Sequence, residues 1–393
     1  MSQVSIVRAA YAEVLPKLRE LLAPLGGIEA FVKPGQKVLL KANLLGSYNV
    51  AKAVTTDPRL VEAMITLVKE AGGIPTVGDS PGMGTLRSAI KAGGLEEILI
   101  RENVPVADFE NEDVYPRPEN RVSQRLVLAR AVKEADVIIT LPKLKTHVQM
   151  NFTGAIKNQY GLMVGVRKSN YHLRLRDNDL MGELMVEINK TAKIALAVMD
   201  AIVAMEGDGP SGGSPKEVGL LLASDDLLAV DMAACRIIGL DPMKVPTVTA
   251  ALRLNYGEGE EKSTFPLLTP EEVKVKDFRQ VSHSKDIIRM LPMPKWFMRW
   301  FGAQWAPHPE IDTKKCIKCF RCRNGCPVKP PAIDPERGKS VSKDCIRCYC
   351  CHEFCPADAI KLKRSLLDRV FRFTSLLNFL NNIFGKLISK FSI

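Results

Sequence analysis

The chain has 393 residues, 46% of them hydrophobic and 25% charged, with ten cysteines and a formal net charge of +11. Such a length and apolar content provide for two or three domains with buried cores and exclude wholesale disorder. The charge is uneven: residues 361–393 carry seven Lys/Arg against one Asp, and residues 309–360 carry ten against seven acids. The first 308 residues are therefore close to neutral, which argues against nucleic acid as a partner.

The N-terminal MSQVSIVRAAYAEVLPKLRE has no apolar core behind a basic start, so no secretory signal is read there. No run reaches the roughly eighteen apolar residues of a spanning helix. A cytoplasmic chain with reduced thiols is expected, in which clustered cysteines mean metal before disulfides.

From Lys37 to about Asp241 short apolar runs alternate with amphipathic segments. KVLLKAN reads as a strand, and Asp57-Pro58 then caps a helix, RLVEAMITLVKEAGG, that ends on its glycines. The strand IPTVGD and the helical TLRSAIKAG follow. Further strands are expected at DVIITL (136–141), IALAVMDAIVA (194–204) and EVGLLLAS (217–224), with a helix LLAVDMAACRIIG after them. Strand–helix alternation with continuous apolar strands predicts an α/β domain over 1–257, a largely parallel sheet covered by helices.

Four stretches after these strands carry unusual chemistry: Asn43-Leu44-Leu45-Gly46, Gly78-Asp79-Ser80-Pro81-Gly82, Pro142-Lys143-Leu144-Lys145-Thr146-His147, and Asp200 with the glycines 207–213. In a parallel sheet such loops share one rim, where ligands bind. Lys143, Lys145, His147 and Lys157 are the candidate catalytic or anion-binding residues, with Asp79, Asp200 and Asn158 beside them. Each also has a plainer reading: solvated lysines beyond a strand-ending proline, and a hydrogen-bonded structural histidine. Gly207-x-Gly209-x-x-Gly212 matches a dinucleotide fingerprint in letters only, because Pro210 interrupts it and a strand follows where a helix is required.

Residues 258–308 form a connector with a charged loop and a short aromatic helix holding Trp296, Trp300 and Trp305. The module 309–360 is the most informative stretch. Cys316-x2-Cys319-x2-Cys322-x3-Cys326-Pro327 is followed by Cys345-x2-Cys348-x2-Cys351-x3-Cys355-Pro356, each the run of a bacterial two-cluster ferredoxin. Three thiolates two residues apart can wrap three corners of one cube, and the fourth reaches across to the other. Cys316, Cys319, Cys322 and Cys355 are assigned to one 4Fe-4S cluster, and Cys345, Cys348, Cys351 and Cys326 to a second. Two complete four-cysteine runs with prolines in register match a zinc module poorly. Cys350 falls between two ligands and reads as a spare thiol or a neighbour of the cluster; Cys235, in an apolar helix, reads as core. The module is expected to be a small ferredoxin-like α+β fold with approximate two-fold symmetry.

In the tail 361–393, Leu362, Leu366, Val370, Phe373, Leu377 and Leu380 recur at helical spacing, with Arg364, Arg369 and Arg372 among the intervening positions. This basic amphipathic helix suits an anionic membrane surface, or else packs on the body of the protein.

PKLKTH, then GAIKN, then the D…GDGPSGG strand-loop with an LLAVD helix after it, resemble the domain-of-unknown-function family 362 over roughly residues 36–255. The resemblance implies an iron–sulfur protein with an appended two-cluster ferredoxin, and it assigns no reaction to the large domain. Electron transfer through two 4Fe-4S clusters is the first functional reading, with the α/β domain docking a redox partner protein or substrate. The alternatives are a redox enzyme acting on a small anionic substrate at residues 143–158, and a cluster-based redox sensor or assembly protein.

Overall fold

The structure is a computed structural model; it describes residues 2–281 and 307–363 except 83, 117–121, 123, 124, 166, 176, 339 and 340. Among the described residues twelve strands form: β1 (Ser5–Arg8), β2 (Lys37–Ala42), β3 (Ile74–Gly78), β4 (Glu112–Pro116), β5 (Arg125–Ala129), β6 (Val137–Leu141), β7 (Lys143–His147), β8 (Asn151–Thr153), β9 (Leu196–Glu206), β10 (Ser214–Ser224), β11 (His308–Ile311) and β12 (Ile360–Lys363). The main sheet runs β1-β10-β9-β6-β2-β3, with β7 beside β9 and β8 on β7. Its centre, β9-β6-β2-β3, is parallel, and β10 and β1 add an antiparallel edge.

Alternation along the strands divides the apolar residues between two cores. Val38, Leu40 and Ala42 of β2 face the helices Val14–Leu22 and Pro58–Glu70, while Leu39 joins the core under the helices Asn178–Ala192, Leu227–Ile237 and Pro246–Arg253. The result is three layers, α/β/α. Asp57 and Asp226 cap their helices as the sequence suggests: Arg59 N donates to Asp57 at 3.0 Å, and Leu228 N and Ala229 N donate to Asp226 at 2.9 and 3.1 Å.

One expectation is corrected here. Lys143–His147 is not a rim loop but the strand β7. The eleven-residue β9 is long enough to pair first with β6, through Leu196 and Ala197, and then with β7, through Asp200 and Met205. Pro142 has no N–H to give the ladder, so it splits the run without ending it, and its carbonyl still accepts Asp200 N at 2.8 Å.

In the cysteine module β11 pairs antiparallel with β12, with the short helices Arg321–Asn324 and Cys350–Glu353 between them. Its core is small and separate: Ile311, Ile333, Ala359 and Ile360 pack among cysteines. Residues 361–363 belong to β12, so no tail helix begins at Lys361, because Lys361 and Leu362 pair with Glu310 and Pro309. The rest of that proposed helix, and the Trp296–Trp305 segment, lie outside the described residues. No helix among the described residues is long and apolar enough to cross a membrane.

Candidate functional site

The ends of β2 and β3, the strands β7 and β8 and the segment 155–161 enclose a cleft of about 750 Å³, its open mouth included. Lys145, His147, Lys157 and Lys168 all line it, with Asn43, Asp79 and Asn158. Lys145 is 1% exposed and its Nζ donates to Asn43 Oδ1 at 3.0 Å and to Val54 O at 2.7 Å. Burial, and then the neighbouring Lys157, hold its pKa well below the ordinary lysine value. Lys157 donates no hydrogen bond to a described residue; burial lowers its pKa, partly offset by Glu353 and Cys350. Lys168 donates to Ser80 O, to Ser80 Oγ at 2.9 Å and to Pro81 O at 3.0 Å, and burial lowers its pKa to about 8. Beneath them Lys41 pairs with Asp79 Oδ1 at 2.7 Å. A Cβ on Gly161 would fall 2.1 Å from that carboxylate oxygen, so only glycine closes the segment over the pair.

His147 Nδ1 accepts from Gln149 N at 3.1 Å and Met150 N at 3.3 Å, which leaves Nε2 as the protonated nitrogen. That nitrogen faces Glu353 Oε1 at 3.3 Å.

Lys143 does not join this group. A register shift between Lys143 and Lys145 re-aims the strand, and Lys143 Nζ turns to Asp200 Oδ2 and the Tyr11 hydroxyl, both at 2.9 Å. Tyr11 donates to Asp200 Oδ1 at 2.8 Å and Asp57 N to Oδ2 at 2.9 Å, so the carboxylate is fully occupied. Lys143 and Asp200 therefore leave the candidate set as a structural ion pair.

The remaining wall comes from the cysteine module: Cys350, Glu353 and Phe354 line the cleft. The helix Cys350–Glu353 and the turn after it are pinned to the α/β domain at several points. Tyr48 OH donates to Glu353 O at 2.6 Å, Ser211 Oγ to the same carbonyl at 3.3 Å, and Lys52 pairs with Asp358 at 2.8 Å. His352 Nε2 meets Asp208 O at 3.2 Å. Cys350 is buried, and its thiol also hydrogen-bonds Cys348.

Within the module Cys316, Cys319, Cys322 and Cys355 line one small pocket with Phe320 and Ile360. Burial first, and then neighbouring thiols including Cys326, raise the pKa of Cys345 and Cys351. Two and four residues after each leading cysteine the backbone is left-handed: Lys318 at φ 50° and Phe320 at 58°, Arg347 at 55° and Tyr349 at 59°. Such non-glycine positions cost about 1 kcal/mol or more each. Left-handed residues in such turns can gather N–H groups into concavities that receive anions, which suits an inorganic sulfide-bearing cluster. Ala332 N donates to Cys326 Sγ at 3.4 Å and Ala359 N to Cys355 Sγ at 3.1 Å.

A family model described as Domain of unknown function (DUF362) matches residues 38–236, about half of the chain. The chain belongs to this family. A 4Fe-4S dicluster domain matches residues 308–356, which makes this DUF362 member an iron–sulfur protein. The thylakoid-associated protein sll1697 of Synechocystis sp. is 38% identical over 283 residues, covering 71% of this chain and 88% of that protein. Among solved structures, the lactate racemase apoprotein from Thermoanaerobacterium thermosaccharolyticum is 16% identical at TM-score 0.39, covering 60% of this chain and 56% of that one. A Thermotoga maritima protein is 12% identical at TM-score 0.33, covering 53% and 55%.

Sequence reasoning missed Lys41, Lys168, Tyr48 and Glu353. Lys41 had a signal, a second lysine past the apolar run that follows Lys37 in the KVLLKA of a central strand. Glu353 was hidden among the ligand cysteines, and nothing marked Tyr48 or Lys168.

Proposed function

We propose that this DUF362 protein transfers electrons between two 4Fe-4S clusters and a small anionic substrate held in the lysine cleft. Cys316, Cys319, Cys322 and Cys355 hold one cluster in this reading, and Cys345, Cys348, Cys351 and Cys326 the other. The observation that carries it is the helix Cys350–Glu353: it continues the second cysteine motif and is also a wall of the cleft. Bound clusters supply one-electron chemistry at potentials of roughly −700 to +450 mV. The chain's own part is to bind and orient. Lys145, Lys157 and Lys168 present ammonium groups to an anion in a largely desolvated site, where each charge acts more strongly than in water. His147 holds an Nε2–H at the cleft edge, directed to Glu353, as a proton donor of fixed tautomer.

Anaerobically purified protein should be brown and contain about eight iron and eight sulfide per chain. A colourless, zinc-loaded protein would overturn the reading. Lys145→Ala should keep the iron and the EPR signal of the dithionite-reduced protein while losing substrate-dependent reoxidation; full retention of that reoxidation removes the cleft from the mechanism. On location, the thylakoid association named for the relative supports peripheral contact of the basic residues 361–393 with an anionic membrane. Flotation with anionic liposomes, with and without residues 364–393, tests this; equal flotation of both forms would remove the tail from the reading.

A further inference from the structure

The two cysteine motifs are alike in sequence and unlike in surroundings. The second is pressed against the α/β domain, with Cys350, Cys351 and Cys355 buried. The first faces outward: Cys319 is exposed and Ile317 beside it is 66% exposed. Lys314, Lys315 and Lys318 stand exposed around them and Arg321 partly so. None of these four makes an ion pair with a described residue, whereas Arg323 and Arg337 nearby are committed to Asp334. An apolar projection and an exposed cysteine thus share one short stretch of chain with four cations that pair with no described residue.

We propose that this face docks a small acidic one-electron carrier protein, with Ile317 at the centre of contact and Lys314, Lys315, Lys318 and Arg321 meeting its carboxylates. The proposal rests on the iron–sulfur reading above and adds where electrons enter and the charge of what delivers them. In the step the carrier's reduced centre loses one electron and the module gains one; no bond forms or breaks and no proton moves. Transient redox encounters bury less than about 1,200 Å², so they need no extensive apolar face. Charge complementarity acts there on the encounter rate more than on affinity. An anionic lipid surface would attract the same cations, but their place in the sequence beside an exposed motif cysteine favours a carrier.

The test is stopped-flow reduction of the full-length, cluster-loaded chain by an acidic flavodoxin hydroquinone as probe. The rate should fall as salt rises. The triple variant Lys314→Glu, Lys315→Glu, Lys318→Glu should be slower by about tenfold or more, with unchanged iron content. Methyl viologen radical cation should reduce that variant as fast as the parent or faster. Ile317→Ala should slow the carrier reaction without changing its salt slope. A salt-independent rate, or an equally fast triple variant, overturns the docking face. So does a variant that loses only its binding to phosphatidylglycerol vesicles. A parent chain that carries no iron and no acid-labile sulfide after anaerobic purification would instead remove the iron–sulfur reading, and the docking face with it.

Discussion

Lys143 and Lys145 are two residues apart on one strand, yet their environments assign them opposite tasks. Lys143 is neutralised by Asp200, and Asp200→Ala would leave a buried ammonium without its carboxylate, at a cost of about 3–5 kcal/mol. Thermal unfolding should show the loss, and anion binding in the cleft should survive wherever the variant remains folded. Lys145 has only neutral oxygens as partners. Lys145→Met should therefore hold or raise the melting temperature while abolishing anion binding, the trade expected where a site stores unfavourable charge. Lys168 adds a pH dependence. Its folded pKa is about 8 against about 10.4 for an unfolded lysine, so the unfolded chain binds more protons between those values. The burial penalty is present below about pH 8, and stability from this group rises as pH climbs toward about 10.4. Over the same span the cleft loses a cation and its hold on an anion weakens. Melting curves and anion titrations across the range should show both trends, and Lys168→Met should flatten them.

At the scale of elements, the helix Cys350–Glu353 couples the two parts of the molecule, and its contact with the glycine loop is sterically exact. A Cβ on Gly212 would fall 2.5 Å from the His352 ring, so Gly212→Ala should push the helix away from the α/β domain. Hydrogen exchange of residues 350–354 should speed up, and Tyr48→Phe should do the same more mildly, by about 0.5–1.5 kcal/mol for one hydrogen bond. The elements that carry the sheet were legible in the sequence because buried parallel strands are continuous apolar runs: β2, β3, β6 and β9 each fall within or overlap a predicted strand, as does the antiparallel β10 through its buried second half, and the helices Pro58–Glu70 and Leu227–Ile237 coincide with predicted ones. The strand β7 was not legible, because Pro142 and two lysines in five residues have the composition of a loop. Only the length of β9, a non-local fact, supplies its partner. The cleft was legible in part. Lys145, His147, Lys157 and Asp79 do converge on it, but Glu353 and Phe354 lie some two hundred residues further along the chain, and only docking of the module brings them there.

At the scale of the molecule, the larger apolar cores among the described residues differ in what they are made of. The two flanking the sheet are aliphatic and extensive, whereas that of the module is small and rich in cysteine. Stripping iron with a chelator under oxidising conditions should therefore unfold the module and leave the α/β domain melting as a cooperative unit. Circular dichroism melts of stripped and intact protein, with limited proteolysis of 307–363, should show this. The shared wall then has a further meaning. On the proposed function, a chain that has not received its iron would also lack one side of its cleft, and would not capture a substrate that it has no electrons to serve. Occupancy of the metal sites and competence to bind would then be a single condition, with the fold as its own proofreading step.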